Sequence, residues 1–483
     1  METLDALIVD VNDVFWTYLL IPLIAVAGVW FTLRSKAVQV RLFPEMLRAV
    51  TGRAALAPDG RKHVSAFGAF TISAAARVGT GNIAGVAGAI TVGGPGAVFW
   101  MWMMALLGAA SAFVESTLAQ LYKVREPREG GTFRGGPAYY IQRGLGKRWG
   151  GIVFAVVITL TFGFVFNAVQ SNTIVAVTSN SFDVVGDRWF EALVGVAMVL
   201  LLGLVIFGGV RRIAHVTTVL VPLMAVIYLV LGAIVVVVNI SELPRVIADI
   251  VGSALGFREV AGGAVGAAIQ QGVRRGMFSN EAGLGSAPNA AATAYTTHPV
   301  KQGLVQALGV FFDTLLICTM TAFIILSANP DLSVRQGADL TQSTLADSLG
   351  GWAGHTLTVV VMLLAFSSMI GNYYYGESNI EFMTASRYVL PAYRVTVLAV
   401  VLLGAFGRVD TVWNLADVFM GAMALVNLLA ILPLSVIAFK LLDDYTAQRK
   451  EGLDPVFTTD RVPGLRNVDC WDPDDLLEKP TSR

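Results

Sequence analysis

The chain has 483 residues, of which 14% are charged and 55% apolar, and its mean hydropathy is +0.66. So few charges cannot cover the surface of the roughly three soluble domains that this length suggests. Because long apolar runs recur along the chain, we predict an all-α integral membrane protein. The 34 Lys and Arg balance the 34 Asp and Glu, so there is no basic excess for binding nucleic acid. Two cysteines and four histidines form no disulfide framework or zinc motif.

The apolar runs predict about eleven transmembrane helices, since a bilayer core about 30 Å thick needs roughly 20 helical residues. The predicted spans cover residues 14–33, 65–91, 97–121, 150–179, 190–208, 217–239, 261–282, 303–327, 353–380, 394–407 and 411–439. Acidic residues precede the first run and basic residues follow it. We therefore interpret it as a helix that enters from outside rather than a cleaved signal peptide.

The distribution of Lys and Arg supports this orientation. The loops that would face inside hold 19 Lys and Arg and the outer segments hold five. These inner loops are 34–63, 123–149, 209–216, 291–302 and 381–394. The tail 440–483 also falls inside, and its Pro- and Asp-rich sequence predicts a polar, loosely ordered segment. We expect a multi-pass protein of the cytoplasmic (inner) cell membrane, with its N-terminus outside and its C-terminus cytoplasmic.

The second span carries a Gly-rich stretch, residues 79–85 (GTGNIAG). Three glycines in seven residues disfavour a continuous helix by roughly 1 kcal/mol each relative to alanine. Close packing of small residues is one explanation. The other is a broken helix whose free N–H groups face an anionic ligand and whose carbonyls face a cation. Thr80 and Asn82, polar residues inside the stretch, favour the broken helix.

The seventh span repeats this feature with Gly262, Gly263 and Gly266. We expect its break at residues 262–272 and place residues 279–288 at or below the cytoplasmic boundary. Two interrupted spans, five helices apart, indicate a five-plus-five inverted repeat preceded by one extra N-terminal helix. The predicted division is 1–63 for that helix and its basic loop, 64–240 and 241–440 for the two repeats, and 441–483 for the cytoplasmic tail.

Polar side chains mark the fourth and ninth spans. Ser367 and Ser368, with the carbonyl of Leu364 one turn earlier, can offer three oxygens to a hard cation such as Na⁺, although isolated hydroxyls in membrane helices usually bond to their own backbone. Gln170 is either a ligand or a hydrogen-bonding contact between helices. Three acids in or near the bilayer serve either structural pairing or ion transport. They are Glu115, Asp313 and Glu377.

Four motifs resemble those of the alanine/glycine:cation symporter family. They are residues 93–108 (GGPGAVFWMWMMALLG), 79–85 (GTGNIAG), 135–140 (GGPAYY) and 279–283 (SNEAG). The Phe-Trp-Met-Trp run in a Gly-rich setting is highly specific, and the similarity extends from about residue 65 to 380. The resemblance implies a leucine-transporter-type fold and Na⁺- or H⁺-driven uptake of a small neutral amino acid.

The resemblance also implies site residues. Thr80 and Gly81 would present backbone N–H groups to the substrate carboxylate, beside Asn82. The sodium site between the second and ninth spans would use the carbonyls of Ala75, Val78 and Leu364 and the hydroxyls of Ser367 and Ser368. The rest of the pocket wall would come from Gln170, Gly266, Ile269 and Gln270.

Asn372 departs from the family pattern, because alanine and glycine carriers of that family tend to have Trp there. A smaller polar residue would enlarge the pocket and add glutamine to alanine and glycine as a substrate. We expect a Na⁺-coupled importer with no organic cofactor and no enzyme activity. The alternatives are H⁺ as the driving ion, which needs a titrating carboxylate, and a channel or sensor on the same scaffold. The sequence does not indicate an oligomeric state.

Overall fold

The computed structural model describes residues 12–52, 63–125, 132–257, 262–332, 337–407 and 409–471. These residues are nearly all helical, which confirms the predicted fold class at that level. The helices are α1 (Asn12–Arg34), α2 (Val38–Arg41), α3 (Phe43–Thr51), α4 (Ala66–Arg77), α5 (Ala84–Gly93), α6 (Gly96–Leu121), α7 (Pro137–Gly144), α8 (Arg148–Ser181), α9 (Arg188–Ile206), α10 (Gly209–Val238), α11 (Leu243–Ala254), α12 (Gly262–Asn280), α13 (Ala287–Ala291), α14 (Pro299–Ser327), α15 (Gly337–Leu349), α16 (Gly351–Met383), α17 (Val389–Gly404) and α18 (Val409–Lys450). Two short strands, β1 (Val124–Arg125) and β2 (Phe133–Arg134), pair antiparallel.

Within the described ranges, eight helices are long and apolar enough to cross a membrane: α1, α6, α8, α9, α10, α14, α16 and α18. The predicted second and seventh spans correspond to the helix pairs α4/α5 and α12/α13, and the tenth to the shorter apolar helix α17. Three points stay predictions: the number of eleven spans, the assignment of α1 as an additional helix before the two repeats, and the boundaries of the repeats.

The second span is interrupted where its glycines predicted. Ser65 caps the start of α4, because its hydroxyl accepts from the Gly68 N–H at 2.9 Å, and the helix ends at Arg77. Residues 78–83, which we call the first break, contain one short 3₁₀ turn before α5 begins. The Asn82 side chain accepts from the Gly79 N–H at 2.8 Å and so satisfies one of the freed backbone donors.

The seventh span is interrupted too, but the prediction of a break at 262–272 is wrong. α12 is continuous from Gly262 to Asn280, and the interruption covers residues 281–286, the second break. There Gly283 and Gly285 have φ of +81° and +80°, a left-handed conformation that glycine adopts without strain. Glycines inside a helix only weaken it, whereas residues held at positive φ must end it. The stretch 279–288 is buried throughout and begins beside the first break. Its position at the cytoplasmic boundary stays a prediction.

The tail after α18 packs against the bundle, which corrects the prediction of loose order for the part up to residue 471. Phe457 and Trp471 are 0% and 1% exposed. The Phe457 N–H donates to the Thr297 carbonyl at 2.8 Å, and the Trp471 indole N–H donates to the Gln120 carbonyl at 3.1 Å. Two buried aromatic anchors thus order a segment whose overall composition is polar. Residues 472–483 lie outside the described residues.

Candidate functional site

Five oxygen atoms from α4, the first break and α16 converge at one point. The Ser367 hydroxyl donates to the Leu364 carbonyl at 2.8 Å and lies 3.5 Å from the Ala75 carbonyl oxygen. The Ser368 hydroxyl donates to the same Leu364 carbonyl at 3.0 Å and lies 3.5 Å from the Val78 carbonyl oxygen. The structure therefore brings together the five residues predicted to bind the cation, which we call the oxygen cluster.

The chemistry of the oxygen cluster fits a small hard cation. Its three carbonyl and two hydroxyl oxygens are neutral, and all five residues are at most 1% exposed. Carbonyls released from a broken helix are the groups that bind Na⁺ in transporters built on such helices. The described residues contain no group of three or more His, Cys, Asp or Glu placed to hold a metal ion.

Gly79 and Gly81 bring bare backbone against the neighbouring helices. A Cβ atom at Gly79 would overlap the Ser368 hydroxyl oxygen and lie 3.2 Å from Gln170 Oε1. A Cβ atom at Gly81 would lie 2.7 Å from Cδ1 of Phe278. Both glycines are therefore required by close approach, and the break is enclosed by α8, α12 and α16.

Thr80 and Asn82 connect the first break to three other helices. The Thr80 N–H donates to Gln170 Oε1 at 3.3 Å. The Asn82 side-chain N–H group donates to Ser279 Oγ at 3.1 Å and to Asp313 Oδ1 at 2.6 Å. Gln170 thus bonds to the break itself, as an interhelical contact would. Direct contact between Gln170 and a substrate stays a prediction.

Asn372 lies one helical turn after Ser368 on α16 and is fully buried. Neither its side-chain oxygen nor its side-chain nitrogen has a hydrogen-bond partner among the described residues, and the same is true of the Thr80 hydroxyl. A buried polar atom without a partner costs about 1–3 kcal/mol. Both residues therefore have polar atoms available for a hydrogen bond with a ligand.

The structure does not bring the predicted wall residues Gly266, Ile269 and Gln270 to the break. Gly266 is exposed, and the Gln270 amide donates to the side chains of Asp13 and Thr17 in α1 at 3.3 and 3.1 Å. At 1.5 Å per residue, Gln270 lies about 15 Å along α12 from its end at residue 280. The family resemblance implied these positions, and the break in this span was also placed too early.

A layer of three aromatic rings covers the first break on the side predicted to face outside. The Phe278 ring lies 4.6 Å from that of Phe166 and 4.9 Å from that of Trp413, between centroids. Beyond this layer, Trp413 lines a cavity of ≈ 530 Å³. No sequence pattern indicated these three residues, although Phe278 immediately precedes the SNEAG motif.

Two of the three intramembrane acids are held by structural contacts. Glu377 lies 3.3 Å from Arg134 and 3.5 Å from Arg394, in ion pairs. Glu115 accepts hydrogen bonds at 3.2 and 3.1 Å from two backbone N–H groups of the second break. For these two acids, structural pairing explains the burial of a charge that is costly in the membrane.

The profile of one protein family matches nearly the whole chain. This profile, described as the sodium:alanine symporter family, covers residues 1–459. The chain belongs to the sodium:alanine symporter family. It is 52% identical over 463 residues to the amino-acid carrier protein AlsT of Bacillus subtilis (strain 168), which covers 95% of this chain and 96% of AlsT. It is 51% identical over 474 residues to the probable sodium/glutamine symporter GlnT of the same strain, which covers 97% and 96%.

A solved structure supports the fold. MhsT in complex with L-phenylalanine is similar with a TM-score of 0.56 at 16% identity, covering 80% of this chain and 99% of that chain. At this identity the similarity concerns the fold alone, and that fold is the leucine-transporter type implied by the motifs. The sodium:alanine symporter family consists of transporters, and eight helices among the described residues are long and apolar enough to cross a membrane. The protein is therefore a multi-pass membrane transporter.

Proposed function

We propose that this protein imports a small neutral amino acid together with Na⁺ across the cytoplasmic membrane, by alternating access around the first break. The observation that carries the proposal is the oxygen cluster. Val78 gives its carbonyl to that cluster, and the residues that follow it in the first break adjoin the proposed position of the substrate. A cation held there fixes the backbone that binds the substrate, so each ligand raises the affinity for the other.

The substrate carboxylate belongs at the start of α5. The helix directs its free N–H groups and the positive end of its dipole toward the first break. Thr80, Gly81 and Asn82 occupy this position, and no basic side chain is needed to compensate the carboxylate charge. The name of the family and the name of the relative GlnT, a probable sodium/glutamine symporter, both mention sodium. This supports Na⁺ as the driving ion.

Asn372 favours glutamine as a substrate beside alanine. Its amide has both a donor and an acceptor without partners, and the amide of a glutamine side chain offers the complementary pair. The relative that is 51% identical is named a probable sodium/glutamine symporter, which supports the same substrate.

The aromatic layer supports alternating access over a channel. Thr80 and Asn82 are at most 1% exposed, and Trp413 of the aromatic layer lines the outer cavity. A conducting pore needs a continuous path, whereas a carrier closes its central site on at least one side. A channel on this scaffold would conduct without saturation. A sensor would bind its ligand without transporting it.

Uptake into proteoliposomes tests the proposal. A panel of labelled amino acids is offered with an inward Na⁺ gradient and with K⁺ in place of Na⁺. We expect saturable alanine uptake driven by Na⁺, with competition by glutamine. Uptake that neither saturates nor responds to Na⁺ would contradict the proposal.

Asp313 supports a second candidate, H⁺-coupled transport. Its carboxylate accepts from Asn82 and from Thr314 Oγ1, at 2.6 and 3.0 Å, and forms no ion pair with any described residue. It is thus a carboxylate able to titrate beside the first break. Under this alternative, a pH gradient without Na⁺ drives uptake and Asp313→Asn abolishes it. Under the Na⁺ proposal, a pH gradient alone drives nothing, and Asp313→Asn keeps the Na⁺ dependence of its remaining uptake.

A further inference from the structure

A basic groove opens where α1 ends against the last turns of α18. It is a cavity of ≈ 260 Å³ whose lining includes the basic residues Arg34, Lys36, Arg41 and Lys450 and one acid, Asp443. The protein as a whole has no net charge, so this local excess of three positive charges is hidden in the composition.

The four basic side chains form no ion pair with any residue that the structure describes. Arg41 donates to the Ser35 carbonyl at 3.3 Å. By contrast, the partly buried Lys301 is paired with Asp454 at 2.7 Å. Like charges gathered around one cavity repel each other, and an anion in the cavity relieves that repulsion.

The groove continues into apolar surface on the same two helices. Trp30 and Leu33 of α1 are 44% and 70% exposed, and Val436 of α18 is 45% exposed. The Arg34 guanidinium lies 5.6 Å from the Trp30 ring centroid and 5.9 Å from that of Phe439. Charged groups above an apolar face with an interfacial Trp are typical of the headgroup level of a bilayer.

We propose that this groove binds the phosphate headgroup of an anionic phospholipid of the inner leaflet, with its acyl chains along α1 and α18. A soluble anion would use the cations but leave the adjoining apolar surface unexplained. Each basic residue near the surface of an anionic leaflet is worth roughly a fivefold change in lipid binding, so three net charges predict a preference of about a hundredfold over a zwitterionic lipid. The bound lipid would join α1 to α18.

Lipid binding to the purified full-length protein in detergent tests the proposal. The probes are phosphatidylglycerol and phosphatidylcholine with identical acyl chains, and inorganic phosphate. The groove variant is Lys36→Gln/Lys450→Gln. The matched control is Lys147→Gln/Arg466→Gln, which removes two exposed cations that lie outside the groove and outside α1 and α18. The readouts are lipid retention in native mass spectrometry and the shift of the melting temperature.

We expect phosphatidylglycerol to be retained and to raise the melting temperature of the wild type and the control. The groove variant should need at least tenfold more lipid for half of the shift. Equal retention by the groove variant and the control would overturn the proposal, as would an equal effect of phosphatidylcholine. A shift produced by inorganic phosphate alone would overturn the lipid as occupant and assign a soluble-anion site instead.

Discussion

Gly79→Ala tests whether the first break and the cation site are one structure. The added Cβ overlaps Ser368 Oγ and lies 3.2 Å from Ser368 Cβ and from Gln170 Oε1. The least costly response is rotation of the Ser368 hydroxyl, which removes one of the five oxygens from the cluster. Losing one such bond costs about 1–3 kcal/mol, which is roughly a 5- to 150-fold rise in the Na⁺ concentration for half-maximal uptake.

The assay is alanine uptake into proteoliposomes as a function of external Na⁺. Gly88→Ala is the matched control, since a Cβ at Gly88 meets no atom within 4 Å. A double-mutant cycle sharpens the test: in a Ser368→Ala background, Gly79→Ala should add much less, because the displaced hydroxyl is already absent. The reasoning is refuted if Gly79→Ala and Gly88→Ala have the same Na⁺ dependence, or if the effects of the two changes simply add.

Three other outcomes are expected. Asn372→Trp should shift selectivity toward alanine and glycine by tens- to hundred-fold through overlap with larger substrates, measured as glutamine competition against alanine; unchanged competition would remove residue 372 from the pocket. Trp471→Ala should weaken tail docking by about 3–5 kcal/mol, seen as faster proteolysis of the tail, while Trp189→Ala, at an 86% exposed residue, should not. Burial lowers the pKa of Lys123, which follows α6, to about 7. A Lys in an unfolded chain titrates near 10.4, so between these two values the folded protein holds fewer protons than the unfolded chain. Its stability, measured as the melting temperature, should therefore rise from about pH 7 to pH 10. Lys123→Met should flatten this rise.

The proximity of the five residues of the oxygen cluster could be predicted because three of them are local. Ser367, Ser368 and the Leu364 carbonyl share one helical turn, so their proximity follows from helix geometry alone. The family resemblance supplied the other two, the carbonyls of Ala75 and Val78. The first break was also found, because its glycines stand next to polar residues inside an apolar run.

The second break was misplaced because tertiary contacts fix it. Gly283 and Gly285 are held by the Glu115 carboxylate, 168 and 170 residues earlier in the chain, and no local pattern reveals that pairing. The aromatic layer of Phe166, Phe278 and Trp413 is likewise assembled from three distant helices. The Gly262–Gly266 signal was misleading, because glycine lowers helix stability without requiring a break.

Simultaneous measurement of labelled alanine and labelled Na⁺ uptake in the same proteoliposomes tests the central claim most directly. The wild type should move both in a fixed ratio. In Ser367→Ala/Ser368→Ala, which removes two of the five oxygens, Na⁺ movement and alanine accumulation should be lost together while the protein remains folded. Alanine accumulation without Na⁺ movement, or an unchanged ratio and rate in the double variant, would contradict the assignment of the oxygen cluster as the coupling site.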